Sequence, residues 1–185
     1  MNVLICDDSG FARKQLMRAL PGSWNVTLHQ AADGLEGVEQ ILMGHGDLIF
    51  LDLTMPEMDG YGVLETLKRE GLRSKVIVVS GDIQPEAHAR VMALGALDFI
   101  KKPASPESLL ALLSRHGLWQ AAPHPAAAPA LATTGHAPLE STIQFTPLRV
   151  KMFADFVEKY SARYRHHQRD DQFLPAMPLP VASDG

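Results

Sequence analysis

Asp52 ends the apolar run Leu48-Ile49-Phe50-Leu51 and opens the turn-rich stretch Leu53-Thr54-Met55-Pro56-Glu57-Met58-Asp59-Gly60. A carboxylate at the exit of a buried strand is costly to desolvate unless a partner uses its charge. Asp7 and Asp8 follow a second apolar run, Val3-Leu4-Ile5-Cys6, and Lys102 lies just beyond a third, Leu97-Asp98-Phe99-Ile100. Three acids and one lysine therefore share one sheet edge if these runs are neighbouring strands. Like charges repel strongly in a partly dry site, so such a cluster makes sense around a divalent cation or a phosphoryl group. This is the composition of a phosphoryl-transfer pocket.

The elements that must position these residues alternate through about residue 117. Short apolar runs near 2–6, 25–31, 47–52, 75–80 and 97–101 read as strands, and helix-period segments near 10–20, 35–43, 60–70, 85–94 and 106–116 separate them. Near-continuous apolar strands interleaved with helices indicate an α/β fold, a parallel sheet covered on both faces. Ser9 can cap the first helix, Pro21-Gly22 ends it, Pro85 suits the first turn of the fourth, and Ser105-Pro106 starts the fifth. Five βα units result. A doubly wound five-stranded sheet of order 2-1-3-4-5 places its switch point between strands 1 and 3, and ligands bind outside the strand ends there. Asp7, Asp8 and Asp52 are predicted to lie at that point.

The chain has 185 residues, 46% of them hydrophobic, enough for one core of ordinary size plus extra material. No apolar run approaches the ~20 residues of a membrane helix, and Asp7-Asp8 interrupt the N-terminus too early for a signal-peptide core, so the expected location is cytoplasmic, away from membranes. The net charge is −4, and the segment 119–185 carries six acidic and six basic residues; neither part has the basic excess of a nucleic-acid module. Cys6 is the single cysteine, expected as a buried, inert thiol.

Composition changes after residue 118. From Ala121 to Pro138 there are eight Ala, four Pro and no charged residue, the character of a semi-extended linker with a reach of about 55 Å. The expected organisation is a first domain over 1–118, a linker over 119–146, an amphipathic helix over 147–168 and an irregular tail over 169–185. Phe153, Phe156, Val157, Tyr160 and Tyr164 recur at helical spacing in that third segment, against Lys151, Asp155, Glu158, Lys159 and Arg163.

The segments Cys6-Asp7-Asp8-Ser9, Leu51 through Gly60, Val78-Val79-Ser80-Gly81 and Phe99-Ile100-Lys101-Lys102-Pro103, each at a strand end and in this order, resemble the receiver domain of two-component response regulators, the CheY-like family. The resemblance spans residues 1 to about 117. It implies that Asp52 accepts a phosphoryl group from a sensor histidine kinase or phosphotransfer protein, forming an acyl phosphate. Asp8, Asp52 and the backbone carbonyl of Thr54 are implied ligands of Mg²⁺, with Asp7 acting through a water. Mg²⁺ suits one or two carboxylates plus phosphate oxygen and retained waters, whereas Ca²⁺ asks for more oxygen ligands. Lys102 and Ser80 are implied to hold the phosphoryl oxygens by charge and by hydrogen bond. Lys101 points away, and Pro103 is implied to follow a cis peptide.

Phe99 stands where the family carries its aromatic switch residue, without the tyrosine hydroxyl common there. Movement of Ser80 toward the phosphoryl group is implied to let Phe99 turn inward and reshape the face made by helix 4, strand 5 and helix 5, where a downstream protein binds. The stretches Val79–Pro85 and Ala93–Phe99 look like receivers joined to a CheC-type chemotaxis module, although no phosphatase motif follows. The chain is then no enzyme beyond phosphorylation and dephosphorylation of its own Asp52.

Two other classes compete. Haloacid dehalogenase phosphatases also use an aspartyl phosphate, Mg²⁺, a Ser/Thr and a Lys. They place a second Asp two residues after the nucleophile, where this chain has Thr54, and their nucleophile follows the first strand. A phosphorylation-independent binding module is the other, and the intact set Asp7, Asp8, Asp52, Ser80 and Lys102 argues against it. His29, His45, His88 and His116 show no metal-ligand spacing, and adjacent His166 and His167 point in different directions on a helix. Met55 and Met58 flank Pro56 and are expected to pack the loop against the sheet. One neutral helix after a linker does not make a helix-turn-helix output domain.

Overall fold

β-branched and leucine-rich runs form five strands in the computed structural model of the chain, which describes residues 1–81, 84–120 and 147–159. They are β1 (Asn2–Cys6), β2 (Thr27–Ala31), β3 (Leu48–Leu51), β4 (Lys75–Ser80) and β5 (Asp98–Lys101). All neighbours are parallel, in the order β2-β1-β3-β4-β5. Helices α1 (Gly10–Ala19), α2 (Gly34–Leu42), α3 (Gly60–Arg69), α4 (Pro85–Ala93) and α5 (Pro106–Arg115) alternate with them. This is the doubly wound α/β sheet that the sequence pattern predicts. β2 starts two residues later than the pattern suggests, because Val26 donates its N–H to the Trp24 carbonyl in a turn.

Burial explains the order. β3 is buried along its whole length, as a central parallel strand with helices on both faces must be, while edge strand β2 exposes three of its five residues. On one face Val3, Ile5, Leu48, Phe50, Ile77, Val79 and Ile100 pack with Leu16 and Ala19 of α1 and with Leu109, Leu112 and Leu113 of α5. Alternation along each strand sends Leu4, Ile49, Leu51, Val76 and Val78 to the opposite face.

The helix starts that matter for the strand ends are held by side-chain caps. Ser9 accepts the N–H of Ala12 at α1, Asp33 that of Glu36 at α2, and Asp59 that of Gly62 at α3, while Ser105 and Ser108 form a reciprocal box at α5. At the far end of the core, Trp24 and Trp119 pack against the α1/α5 cluster, and Trp24 Nε1 donates to the Leu118 carbonyl at 3.1 Å. Trp119, expected as the first linker residue, is therefore part of the packed core.

The chain divides into two units between Phe145 and Thr146. In the second, α6 (Pro147–Lys159) carries Met152, Phe153, Phe156 and Val157 at helical spacing. The remainder of the helix expected to 168, with Tyr160, Tyr164, His166 and His167, lies outside the described residues, as do the linker stretch 121–146 and the tail from 169. Among the described residues no helix is long and apolar enough to cross a membrane.

Candidate functional site

Parallel pairing of β1 with β3 sets Cys6 opposite Leu51, so the residues that follow, Asp7 and Asp52, emerge side by side. Asp52 donates its N–H to the Cys6 carbonyl at 2.9 Å, and Asp7 donates to the Ala31 carbonyl at 3.1 Å. On the other side, Ser80 of β4 stands opposite Lys101 of β5, and the Lys102 N–H extends the ladder to the Ser80 carbonyl at 2.8 Å. The Lys102–Pro103 peptide is cis. From there the Lys102 side chain reaches past β4 to both acids, with Nζ 2.6 Å from Asp7 Oδ2 and 2.9 Å from Asp52 Oδ2.

The remaining carboxylate oxygens are also engaged. Asp7 Oδ1 accepts the Ser9 N–H at 2.9 Å, and Asp52 Oδ1 accepts the Leu53 N–H at 2.8 Å. Asp7 and Asp52 are only 6% and 5% exposed, whereas Asp8 lies open to solvent beside them. One carboxylate oxygen from each of the three lies within 4.8 Å of the others. Oxygens around an octahedral Mg²⁺ at about 2.1 Å stand about 3 Å apart when adjacent and about 4.2 Å apart when opposite. The donor set is hard and anionic, and its oxygens converge on one place, so these residues fit that ion.

Burial pushes the Asp52 carboxyl above the ordinary carboxylate range. Its contacts with Lys102 and the Leu53 amide oppose the rise without cancelling it, while Asp7 adds to it. Burial also works against the charge on Lys102, but hydrogen bonds and charge attraction from Asp7 and Asp52 outweigh it and hold the ammonium above its ordinary value. Both describe a lysine that neutralises two acids at once in a poorly solvated place.

The turn after Asp52 is held by close backbone approaches. Gly60 donates to the Leu53 carbonyl at 3.1 Å, and a Cβ on Gly60 would meet the Asp52 carbonyl at 2.2 Å. Gly34 at the start of α2 donates to the Met58 carbonyl at 3.2 Å, and a Cβ there would meet the same oxygen at 2.3 Å. Met55 is buried, with Sδ 3.7 Å from Cys6 Sγ, as expected of a loop packed on the sheet. Thr54 is exposed in this turn. Burial first, and then the acids Asp33 and Glu36, push the Cys6 thiol far above its ordinary value, so it is an inert core sulfur.

Ser80 is buried at the end of β4. Phe99 pairs with Val78 two steps before the Ser80–Lys101 pair, and alternation places it on the same sheet face as Ser80. Its ring is half-buried and meets His88 of α4 edge-on, with centroids 5.6 Å apart. Lys101 is exposed and makes no ion pair among the described residues.

Sequence reasoning missed two features. Arg13 of α1 donates from Nη1 to the Asp7 carbonyl at 2.6 Å and from Nε to Gln30 Oε1 at 3.1 Å; a bond to a backbone oxygen leaves no residue pattern. His29 and His45 stack with centroids 4.1 Å apart and planes 4° apart. Metal-ligand spacing was the wrong signal to look for, since parallel stacked rings cannot both aim a nitrogen at one ion.

The sequence model described as response regulator receiver domain matches residues 3–114. A protein-glutamate methylesterase/protein-glutamine glutaminase of Symbiobacterium thermophilum is 40% identical over 113 residues, 59% of this chain and 31% of that protein. Chemotaxis protein CheY of Treponema pallidum is 36% identical over 110 residues, 58% of this chain and 76% of that one. This chain thus spans about a third of the methylesterase it matches. In solved structures, a chain of the CheX–CheY–BeF3–Mg²⁺ complex of Borrelia burgdorferi superimposes with a TM-score of 0.57 at 32% identity, covering 63% of this chain and 89% of that one. These matches do not bear on the expected likeness to receivers joined to CheC-type modules.

Proposed function

The chain belongs to the response regulator receiver domain family, and from that premise we propose that it is a Mg²⁺-dependent phosphoryl acceptor in two-component signalling, with Asp52 as the acceptor. The observation that carries this reading is the pairing of Lys102 with both Asp7 and Asp52 beside the solvent-facing Asp8. The donor is a phosphohistidine on a sensor kinase or phosphotransfer protein. A carboxylate oxygen of Asp52 attacks phosphorus, the new O–P bond forms as the N–P bond breaks, and the departing imidazole nitrogen keeps the electron pair and takes up a proton.

Asp52 is suited to this role because desolvation raises the basicity of its carboxylate. When bound by Asp8, Asp52 and the Thr54 carbonyl, with Asp7 nearby, Mg²⁺ supplies positive charge against the phosphoryl oxygens. Lys102 already stands within reach of the attacking carboxylate and turns its ammonium to the incoming oxygens, while the Ser80 hydroxyl donates to another. Transfer draws Ser80 toward the phosphoryl group, and Phe99, on the same face, turns inward from its contact with His88. The surface of α4, β5 and α5 then presents a different shape to a downstream protein.

The receiver, acting in the cytoplasm, extends through Trp119, which packs on its core, and α6 (Pro147–Lys159) serves as a helical output element. The chain has no enzymatic activity beyond turnover of its own phosphoryl group, and neither membrane nor nucleic acid is a partner. Incubation with a radiolabelled small acyl phosphate and Mg²⁺ tests the assignment. Label enters wild type and not Asp52→Asn, and chelation stops it; label in Asp52→Asn, or an unchanged rate with chelator, overturns it.

A further inference from the structure

We propose that Arg13 is a positioning residue for the cation site: it fixes the peptide plane joining Asp7 to Asp8 and so aims the Asp8 carboxylate. The inference rests on the reading of Asp7, Asp8 and Asp52 as the Mg²⁺ site. Each hydrogen-bonding group of Asp7 has a partner. Its N–H goes to Ala31, its two carboxylate oxygens to Ser9 and Lys102, and its carbonyl to Arg13 Nη1 at 2.6 Å. That carbonyl belongs to the peptide whose nitrogen is Asp8's.

The Asp8 carboxylate itself has no hydrogen bond or ion pair among the described residues. Among the described residues, only the backbone that carries it fixes where this side chain starts and the direction of its Cα–Cβ bond. Arg13 is suited to hold that backbone because its planar guanidinium uses two N–H groups at once. Nε is tied to Gln30 of edge strand β2, so the fork spans β2 and the end of β1. Mutating outer residues that orient metal ligands typically costs about 10–100-fold in metal affinity.

Charge and positioning predict opposite signs here. Removing a cation beside a divalent-cation site favours metal binding on Coulomb grounds, whereas releasing the Asp7–Asp8 peptide weakens it. Calorimetric titration of the full chain with Mg²⁺ separates the two. Arg13→Met is expected to bind Mg²⁺ about tenfold more weakly, and Arg13→Lys to recover part of the loss through a single donor. Phosphoryl uptake on Asp52 at saturating Mg²⁺ should change little, since an affinity defect is removed by saturation. Amide exchange at Asp8 in the metal-free protein should quicken in Arg13→Met.

If Arg13→Met folds poorly, Gln30→Ala removes only the Nε anchor on an exposed edge and should weaken Mg²⁺ binding in the same direction. Unchanged or tighter Mg²⁺ binding in a folded Arg13→Met or Gln30→Ala overturns the proposal. Wild type and Asp8→Ala are measured alongside: a wild type that binds no Mg²⁺ sinks the site reading as well, whereas normal wild-type binding with indifferent Arg13 variants sinks only the positioning role.

Discussion

The Nζ of Lys102 lies 2.9 Å from Oδ2 of Asp52, although the two residues leave the sheet from β5 and β3 with β4 between them. The same ammonium is 2.6 Å from Asp7, so one cation offsets two largely buried acids before any metal or phosphoryl group arrives. Breaking a buried pair by deleting one partner is strongly destabilising because the other charge is left alone. Lys102→Ala should lose about 3 kcal/mol of metal-free stability, read by urea unfolding. Its Mg²⁺ affinity should not fall, because the lysine and the metal compete for the same oxygens. Asp8→Ala should lose Mg²⁺ affinity and phosphorylation together with little change in metal-free stability. Equal loss of Mg²⁺ affinity in both variants contradicts this division.

Asp52→Asn should make the metal-free protein more stable at neutral pH. A carboxyl whose folded value is raised binds protons more tightly folded than unfolded, so its contribution to stability declines as pH rises from the ordinary 3.8 through the folded value. The amide removes that penalty and leaves Lys102 with Asp7. Thermal unfolding in chelator should show a midpoint a few degrees higher; a lower midpoint would mean that the Lys102–Asp52 attraction exceeds the cost of burying the charge.

Stability should fall as the solution is acidified below pH 6.5. Burial lowers His29 and His45 beneath their ordinary value of 6.5, and in His29 the neighbouring His45 adds to the effect. A lowered folded value means that neutral rings are favoured folded: their contribution is full above 6.5 and is lost as pH drops through the folded values. His29 Nε2 is buried without a hydrogen-bond partner among the described residues, and protonating one stacked ring sets a charge against the other. Unfolding midpoints between about pH 5 and 7 should therefore slope upward, and His29→Gln should flatten the slope. An unchanged slope in His29→Gln would assign it to other groups.

Gly60→Ala should damage the site from behind. The added methyl meets the Asp52 carbonyl and the Leu53 Cα, both backbone atoms that cannot swing aside. A loss of about 2 kcal/mol is expected, together with slower phosphorylation of Asp52. A variant as stable and as reactive as wild type would show that the β3–α3 turn relaxes freely.

A chain truncated after Gln120 should keep the stability of residues 1–120, and one truncated after Gly117 should not. The shorter chain loses the Leu118 carbonyl that Trp24 bonds and the packing of Leu118 and Trp119 on the core. The cost should be about 3 kcal/mol, measured by chemical denaturation of the two truncations. Equal stabilities would mean that the terminal tryptophan is a passenger.

Five apolar runs and the intervening helical periods determined the sheet, because strand and helix register as local patterns of side-chain type. Parallel order then made Asp7, Asp8, Asp52, Ser80 and Lys102 neighbours, since strand ends in such a sheet lie on one edge whatever the details of packing. Tertiary structure alone decided the rest. The Lys102 ammonium bridges two acids instead of facing one, Arg13 grips a carbonyl oxygen, and Gly34 and Gly60 admit backbone where no Cβ fits. His29 stacks on His45, and Trp119 closes the core rather than starting the linker. Backbone atoms are the same in every residue, and contacts between distant segments depend on register and crossing, so neither leaves a mark in residue order.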